Sequence, residues 1–132
     1  MGTDVKGYVE ISTINLSDQD SWFETLKINM IAERDYRIFG PLFGIRAKEG
    51  IVPIAPDRGI PKNTSNPDDV FENVQSFVGH SWLTWNEIET IVAAENLDEN
   101  PGWALIFSTM KSLSSIYGSI NVRLVVSFDN YG

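Results

Sequence analysis

The chain contains 132 residues, of which 42% are hydrophobic, and its eighteen acidic residues exceed its ten lysine and arginine residues to give a net charge of −8. This length and composition predict one domain, residues 1–132, that buries its own core. The lack of cysteine and the single histidine exclude disulfides, thiolate metal sites and multi-histidine zinc sites. The acidic balance disfavours binding to the nucleic-acid backbone, and no segment has the roughly 18 consecutive apolar residues of a membrane span.

A β-hairpin is the first predicted element. From Asp4 to Ser12 the residues alternate, which places Val5, Gly7, Val9 and Ile11 on one side and Asp4, Lys6, Tyr8 and Glu10 on the other. A polar, turn-like segment, Asn15 to Ser21, leads to a second alternating segment from Trp22 to Met30. Its predicted apolar face consists of Trp22, Leu26, Ile28 and Met30. The two segments predict an antiparallel pair.

A short helix and a long loop are predicted next. The aromatic-rich segment from Arg34 to Ile45 predicts a short helix that is broken or kinked near Pro41. The segment from Lys48 to Asp69 holds four of the six prolines, which predicts a loop. Four apolar residues within it predict that the loop is ordered and packs on the body of the domain: Ile51, Val52, Ile54 and Ile60.

Two helices and a final strand complete the pattern. Thr84 and Glu87 form a capping box for a helix that ends near Asn96. Asn100 and Pro101 begin a second helix that stops at Gly118. Its core-facing stripe consists of Trp103, Ile106, Phe107, Met110, Leu113 and Tyr117. The last strand, Ile120 to Phe128, places Val122, Leu124, Val126 and Phe128 opposite Arg123, Val125 and Ser127.

These elements predict an α+β fold. We expect an antiparallel sheet that includes the paired N- and C-terminal strands, packed on one face by the two C-terminal helices, with a long proline-rich loop.

Several short motifs occur in a fixed order along nearly the whole chain. They are Met1-Gly2 with Asp4, Tyr8-Val9-Glu10, Arg34-Asp35-Tyr36 with Phe39, Arg58-Gly59-Ile60-Pro61, His80-Ser81-Trp82-Leu83-Thr84, and Val122-Arg123-Leu124-Val125-Val126 with Phe128-Asp129-Asn130. In order and spacing they resemble a family of small, poorly characterised bacteriophage proteins. The resemblance implies a phage accessory protein, and it implies no particular reaction.

An arginine-rich window is the main candidate for a binding site. Four of the five arginines lie in the 25 residues from Arg34 to Arg58, among aromatic residues. Guanidinium groups bind phosphate with two hydrogen bonds and stack on aromatic rings. The predicted ligand-binding residues are Arg34, Tyr36, Arg46, Arg58, His80, Ser81 and Trp82, with phosphate on the arginines and Tyr36 or Trp82 stacking on the ligand. In the alternative interpretation, the arginines hold the loop by pairing with four nearby carboxylates: Glu33, Asp35, Glu49 and Asp57.

Three residues are candidates for proton transfer or metal binding: His80, Asp4 and Asp129. The only histidine, His80, could hold a loop through its ring nitrogens, contact a ligand or transfer a proton; we expect a loop residue at the rim of a pocket. Asp4 and Asp129 would approach each other if the terminal strands pair, and could then bind Mg²⁺ or share a proton. The alternative is that both carboxylates bond turn amides. No cofactor is expected.

Four functions are compatible with these features, of which the least expected is a virion-associated or assembly protein, because the α+β pattern has no repeats or long coiled-coil helices. We expect a phage protein, acting in the cytoplasm of the host cell, that antagonises host defence by sequestering a small anionic, nucleotide-like signal without catalysis. One alternative is an acidic inhibitor that docks on the basic face of a host nuclease or CRISPR-type interference complex. Another is a metal-dependent hydrolase that uses Asp4, Asp129 and His80. The expected partner is a small anion or a host defence protein, not a nucleic-acid backbone or a membrane, and self-association remains open.

Overall fold

The structure is a computed structural model that describes residues 2–12, 21–65 and 77–131. In chain order these residues form β1 (Gly2–Ser12), β2 (Trp22–Lys27), α1 (Tyr36–Phe43), β3 (Phe77–Thr84), α2 (Trp85–Glu95), α3 (Pro101–Tyr117) and β4 (Val122–Tyr131). Single 3₁₀ turns, Leu97–Glu99 and Ser119–Asn121, precede and follow α3. The strands form one antiparallel sheet in the order β2-β1-β4-β3. The predicted α+β fold with paired terminal strands is therefore confirmed.

The helices pack on one face of the sheet, which we call the core face. The predicted alternation holds in β1 and β4, whose core-face residues Val5, Val9, Leu124 and Val126 are all buried. From α3, the predicted stripe supplies Trp103, Ile106, Phe107 and Met110 as buried residues, with Leu113 and Tyr117 packed at its margin. Burial of these side chains supplies the main driving force for folding.

Side-chain caps define the ends of the two C-terminal helices. At the start of α2, the Glu87 carboxylate accepts a hydrogen bond from the Thr84 N–H at 3.1 Å, as the capping box requires. Asn96 adopts a left-handed conformation and ends α2. At the start of α3, the Asn100 side-chain oxygen accepts from the backbone N–H groups of Gly102 and Trp103. The predicted bounds of both helices are confirmed.

Helix α1 runs through Pro41 without the predicted break. Proline lacks a backbone N–H and so removes one helical hydrogen bond. The helix ends only two residues later, at Phe43, and Gly44 caps it in a left-handed conformation by donating to the Gly40 carbonyl at 2.8 Å. Burial of Phe39 and Leu42 in the core holds this short helix in place.

The predicted single apolar face of the second strand is wrong. Trp22 pairs with Ser12 whereas Leu26 pairs with Val9, so the two side chains lie on opposite faces of the sheet. The register shifts between Val9 and Glu10, which is a β-bulge that adds one residue to β2. Met30 lies beyond the strand and is 97% exposed. The predicted turn falls mostly on residues 13–20, outside the described residues.

The proline-rich loop is ordered from residue 45 to residue 65 and packs beside β3 and over the sheet. The N–H groups of Ile54 and Ala55 donate to carbonyls of α1, and the Gly59 N–H donates to the His80 carbonyl of β3 at 2.9 Å. Ile54 and Ile60 pack against the body, as predicted. Ile51 and Val52 do not belong to the core cluster and are 37% and 88% exposed. The rest of the predicted loop, residues 66–69, lies outside the described residues.

The end of this loop covers the other face of the sheet, which we call the loop-covered face. There Arg123 Nε donates to Glu10 Oε1 at 2.6 Å, and both side chains are buried. The backbone N–H and hydroxyl of Ser65 donate to the same carboxylate at 3.0 and 2.8 Å. The Arg123 guanidinium lies 3.7 Å from the centroid of the Trp22 ring. A buried ion pair thus fastens the loop to the sheet.

Candidate functional site

The predicted ligand-binding residues fall into two groups. In the first, which lies near the start of β1 and on α1, the Tyr36 hydroxyl accepts from the Thr3 N–H at 3.0 Å. The Arg46 guanidinium lies 4.7 Å from the centroid of the Tyr36 ring. Arg34 is nearby and donates through Nε and Nη2 to Asp4 Oδ1 at 2.9 and 2.7 Å.

The second group ties the proline-rich loop to β3. Arg58 donates to both carboxylate oxygens of Glu87, at 2.8 and 2.6 Å, and to the carbonyls of Trp82 and Ile54. The hydrogen bond from Arg58 is the main cause that lowers the pKa of Glu87, and the same contact raises the pKa of Arg58. Ser81 Oγ donates to the Ala55 carbonyl at 2.6 Å and accepts from the Arg58 N–H. These groups bond to one another and hold the loop.

His80 holds the same loop through its backbone. Its N–H donates to Asp57 Oδ1 at 3.3 Å, and its carbonyl accepts from Gly59. Burial lowers the pKa of the His80 imidazole, against the opposing effect of the Asp57 carboxylate. The neighbouring cavity, lined partly by Phe43 and Phe128, has a volume of about 60 Å³. Such a space is far smaller than the roughly 300–1,000 Å³ of a typical ligand pocket.

Three of the four arginines in the window form ion pairs, as in the alternative interpretation but mostly with different carboxylates, and the fourth, Arg46, lies on the Tyr36 ring. Arg37 pairs with Asp35, one of the four predicted partners, and also with Glu99. Arg34 and Arg58 instead pair with Asp4 and Glu87, which are distant in the sequence. An anionic ligand at any of these three arginines would compete with a carboxylate that is already bonded. This competition weakens the predicted single phosphate pocket.

Part of the window still lines a cavity beside α1. Tyr36, Arg37, Arg46 and Lys48 surround a space of about 270 Å³, together with apolar residues and one carboxylate, Glu95. Arg46 has a left-handed backbone, with φ at 50°, a conformation that costs energy for a residue with a side chain. Neither Arg58 nor His80 belongs to this cavity, so it contains only part of the predicted site.

The two candidate metal ligands are brought together. Asp4 and Asp129 are direct partners across β1 and β4, as the pairing of the terminal strands predicts. The Asp4 carboxylate, however, already accepts from Arg34, and Asp129 is buried. Within residues 2–12, 21–65 and 77–131 no group of three potential ligands is placed to hold a metal ion.

The charge is distributed unevenly along the chain, which the sequence-based predictions above do not include. Residues 63–110 contain eight acidic residues and no lysine or arginine, so they carry the whole net charge of −8, and the remainder of the chain is balanced. The sequence itself contains the signal for this acidic segment, because its charge differs from that of the rest of the chain. On and after α2 the exposed carboxylates of this segment are Glu89, Glu95, Asp98 and Glu99. We call them the acidic helical surface.

A groove between α2 and α3 opens beside this surface. Its floor is formed by Trp85 and Phe107, whose ring centroids lie 6.4 Å apart. Small side chains line its walls: Ala93, Ala104 and Ser108. Glu89 and Asp98 also line it, with one basic residue, Lys111, and the enclosed volume is about 370 Å³. The groove therefore combines an apolar floor with a mainly acidic margin.

Comparisons of the chain with protein-family models, with curated proteins and with solved structures give no match. The class of protein is therefore defined by the fold and the charge distribution: an acidic α+β domain. Among the described residues, no helix is both long and apolar enough to cross a membrane.

Proposed function

We propose that the protein is a non-catalytic binding protein that docks its acidic helical surface on a basic surface of another protein. The observation that carries this proposal is the group of exposed carboxylates on and after α2, within a segment, residues 63–110, that has eight acidic residues and no lysine or arginine. Glu89, Glu95 and Asp98 are exposed and have no ion-pair partner among the described residues. Charge of one sign on one surface accelerates and orients association with a partner of opposite charge.

The resemblance to bacteriophage proteins supports a particular setting for this binding. A host nuclease or interference complex must present a basic surface to hold the phosphate backbone of nucleic acids. An acidic protein can occupy such a surface by imitating the charge of the nucleic acid. The proposed role is therefore that of a phage inhibitor that blocks a host defence protein without turnover.

A pair of charge-reversal variants tests the role of the acidic helical surface. The double variant Glu89→Lys/Asp98→Lys changes two carboxylates of this surface. The matched control, Glu24→Lys/Glu49→Lys, changes net charge equally at two exposed carboxylates elsewhere. We expect the wild type and the control to capture the same protein from a bacterial lysate at low salt, and the Glu89/Asp98 variant to lose it. Capture should also weaken steeply as salt rises.

Two outcomes would contradict the docking function. Equal loss in both double variants would mean that net charge alone governs retention, without a defined surface. Capture of no protein by the wild type at low salt would remove the proposal altogether.

A second candidate function is the capture of a small nucleotide-like anion beside α1. The cavity lined by Tyr36, Arg46 and Lys48 favours it, because two cations and a ring occur together there; Arg37 and Glu95 also line it, but Arg37 is already paired with carboxylates. A ligand at about 100 times its Kd stabilises a protein by about 2.7 kcal/mol, so bound nucleotide should raise the Tm by several degrees. Arg46→Ala should abolish the rise, whereas Arg58→Ala should preserve it. A flat thermal scan with a mixture of nucleotides would exclude this function.

A further inference from the structure

We infer that the groove between α2 and α3 binds an amphipathic, basic segment of the partner protein. A large apolar side chain of that segment would lie on Trp85 and Phe107, and flanking lysine or arginine residues would pair with Glu89 and Asp98. The inference rests on the proposed docking function and adds the chemistry of the partner and the place where it binds.

The groove exists because small residues occur where two helices would otherwise fill the space between them. Ala93 on α2 and Ala104 and Ser108 on α3 leave room above the aromatic floor. Packed interiors contain few voids of this size. A space of about 370 Å³ lies within the usual range for ligand pockets. A protruding side chain can therefore enter the groove without any change in backbone conformation.

The floor of the groove favours an apolar anchor. Trp85 and Phe107 are only 4% and 2% exposed, so they are held rigidly by the core, with their outer edges at the groove. Both rings are already desolvated by the fold, so an apolar anchor would cover their edges together with Ala93, which is exposed, and with Val92 and Ala104, which are partly exposed. Recognition of this kind commonly uses an amphipathic helix laid in a groove, with anchors one helical turn apart.

The margin of the groove favours basic flanking residues. Glu89 and Asp98 line the groove with a single lysine, Lys111, whereas Glu95 lines the cavity beside α1 and Glu99 is paired with Arg37. Nucleic acid and anionic lipid would be repelled by these carboxylates. A segment with lysine or arginine beside its apolar anchor complements both the floor and the margin.

Two neighbouring alanines allow a matched test. Ala93 and Ala94 are both exposed on α2, but only Ala93 lines the groove. Ala93→Trp should fill the groove, whereas Ala94→Trp adds the same side chain beside it. The probe is a fluorescein-labelled synthetic peptide of about 18 leucine and lysine residues in an amphipathic helical pattern. A scrambled peptide of the same composition keeps the charge and loses the pattern.

Fluorescence anisotropy at about 50 mM salt measures binding of both peptides to the wild type and to the two variants. We expect the amphipathic peptide to bind wild type and Ala94→Trp alike, and Ala93→Trp to bind it about tenfold or more weakly. The scrambled peptide should bind weakly to all three. Circular dichroism shows whether each variant keeps its fold.

Equal binding of the two peptides, or equal binding by the two tryptophan variants, would overturn the groove assignment. That result would leave the docking function intact, since the latter is judged by the charge-reversal variants and their lysate partner. Binding of neither peptide would also overturn the assignment. Capture of no protein by the wild type, with the amphipathic peptide still bound in the groove, would instead overturn the docking function and leave the groove assignment in place.

Discussion

The loop-covered face of the sheet and the acidic helical surface use charge in opposite ways. On the loop-covered face, Glu10 accepts from Arg123, Thr64 and Ser65, and no carboxylate oxygen is left for a partner molecule. On the helical surface, Glu89 and Asp98 face solvent around an open groove. In the first region, Glu10 and Arg123 are paired within the protein and hold the loop on the sheet. We call this ion pair the lock. The second exposes Glu89 and Asp98 without an ion-pair partner among the described residues, which favours a role in binding.

The arginines of the central window also belong with the charges that stabilise the fold. The sequence predicts Arg34 and Arg58 as phosphate ligands, yet each bonds a carboxylate from another part of the fold. Arg58 bridges the loop and the start of α2 through Glu87. Charged residues that form ion pairs between distant segments stabilise the fold. Exposed charged residues without such a partner are the better indicator of function.

The largest effect is expected from breaking the lock on the loop-covered face. Glu10→Ala would leave the Arg123 guanidinium buried and unpaired and would release Ser65. Removing one partner of a buried ion pair costs about 3–5 kcal/mol, and we expect a loss of that size in the free energy of unfolding measured with urea. The double variant Glu10→Leu/Arg123→Met should recover much of it. A loss below about 1 kcal/mol in the single variant would show that the pair is not a lock.

A smaller effect is expected at the half-exposed pair of Arg58 and Glu87. Arg58→Ala should reduce the free energy of unfolding by about 1 kcal/mol, since solvent screens such pairs. The Arg58 contact lowers the pKa of Glu87 in the folded state. The contribution of this pair to the free energy of unfolding is therefore present above the unfolded pKa of about 4.3. It declines as pH falls through the lower pKa of the folded state. The difference in free energy of unfolding between wild type and variant, measured by urea titration, should therefore be smaller at pH 3 than at pH 7. A difference that grows on acidification would contradict this assignment.

Local sequence signals predicted most of the fold. The Thr84 and Asn100 caps and the alternation of β1 and β4 depend on residues close in the chain, and they occur as expected. The bulge in β2 was missed because a register shift depends on the neighbouring strand, which one segment does not specify. The bond between Glu10 and Arg123 joins residues 113 positions apart, and no local pattern indicates such a pair.

The candidate site was less predictable, for a related reason. Arginines and aromatic residues suggest a ligand only while their intramolecular partners are unknown, and the fold supplied Asp4 and Glu87 as those partners. The acidic segment was visible in the sequence, but the total of −8 concealed that residues 63–110 carry all of it. The groove required the structure, since Trp85 and Phe107 lie on different helices.

The smallest effect is expected from removing exposed charge on the helical surface. Glu89→Gln and Asp98→Asn leave no buried group unpaired, and exposed substitutions of this kind usually change stability by less than about 0.5 kcal/mol. Removing like charges from one surface relieves repulsion, so any change should favour the folded state, most visibly at low salt. Thermal denaturation of the double variant at low and high salt measures this. A marked loss of stability would mean that these carboxylates serve the fold, as Glu10 does, and would remove the physical distinction on which the docking surface depends.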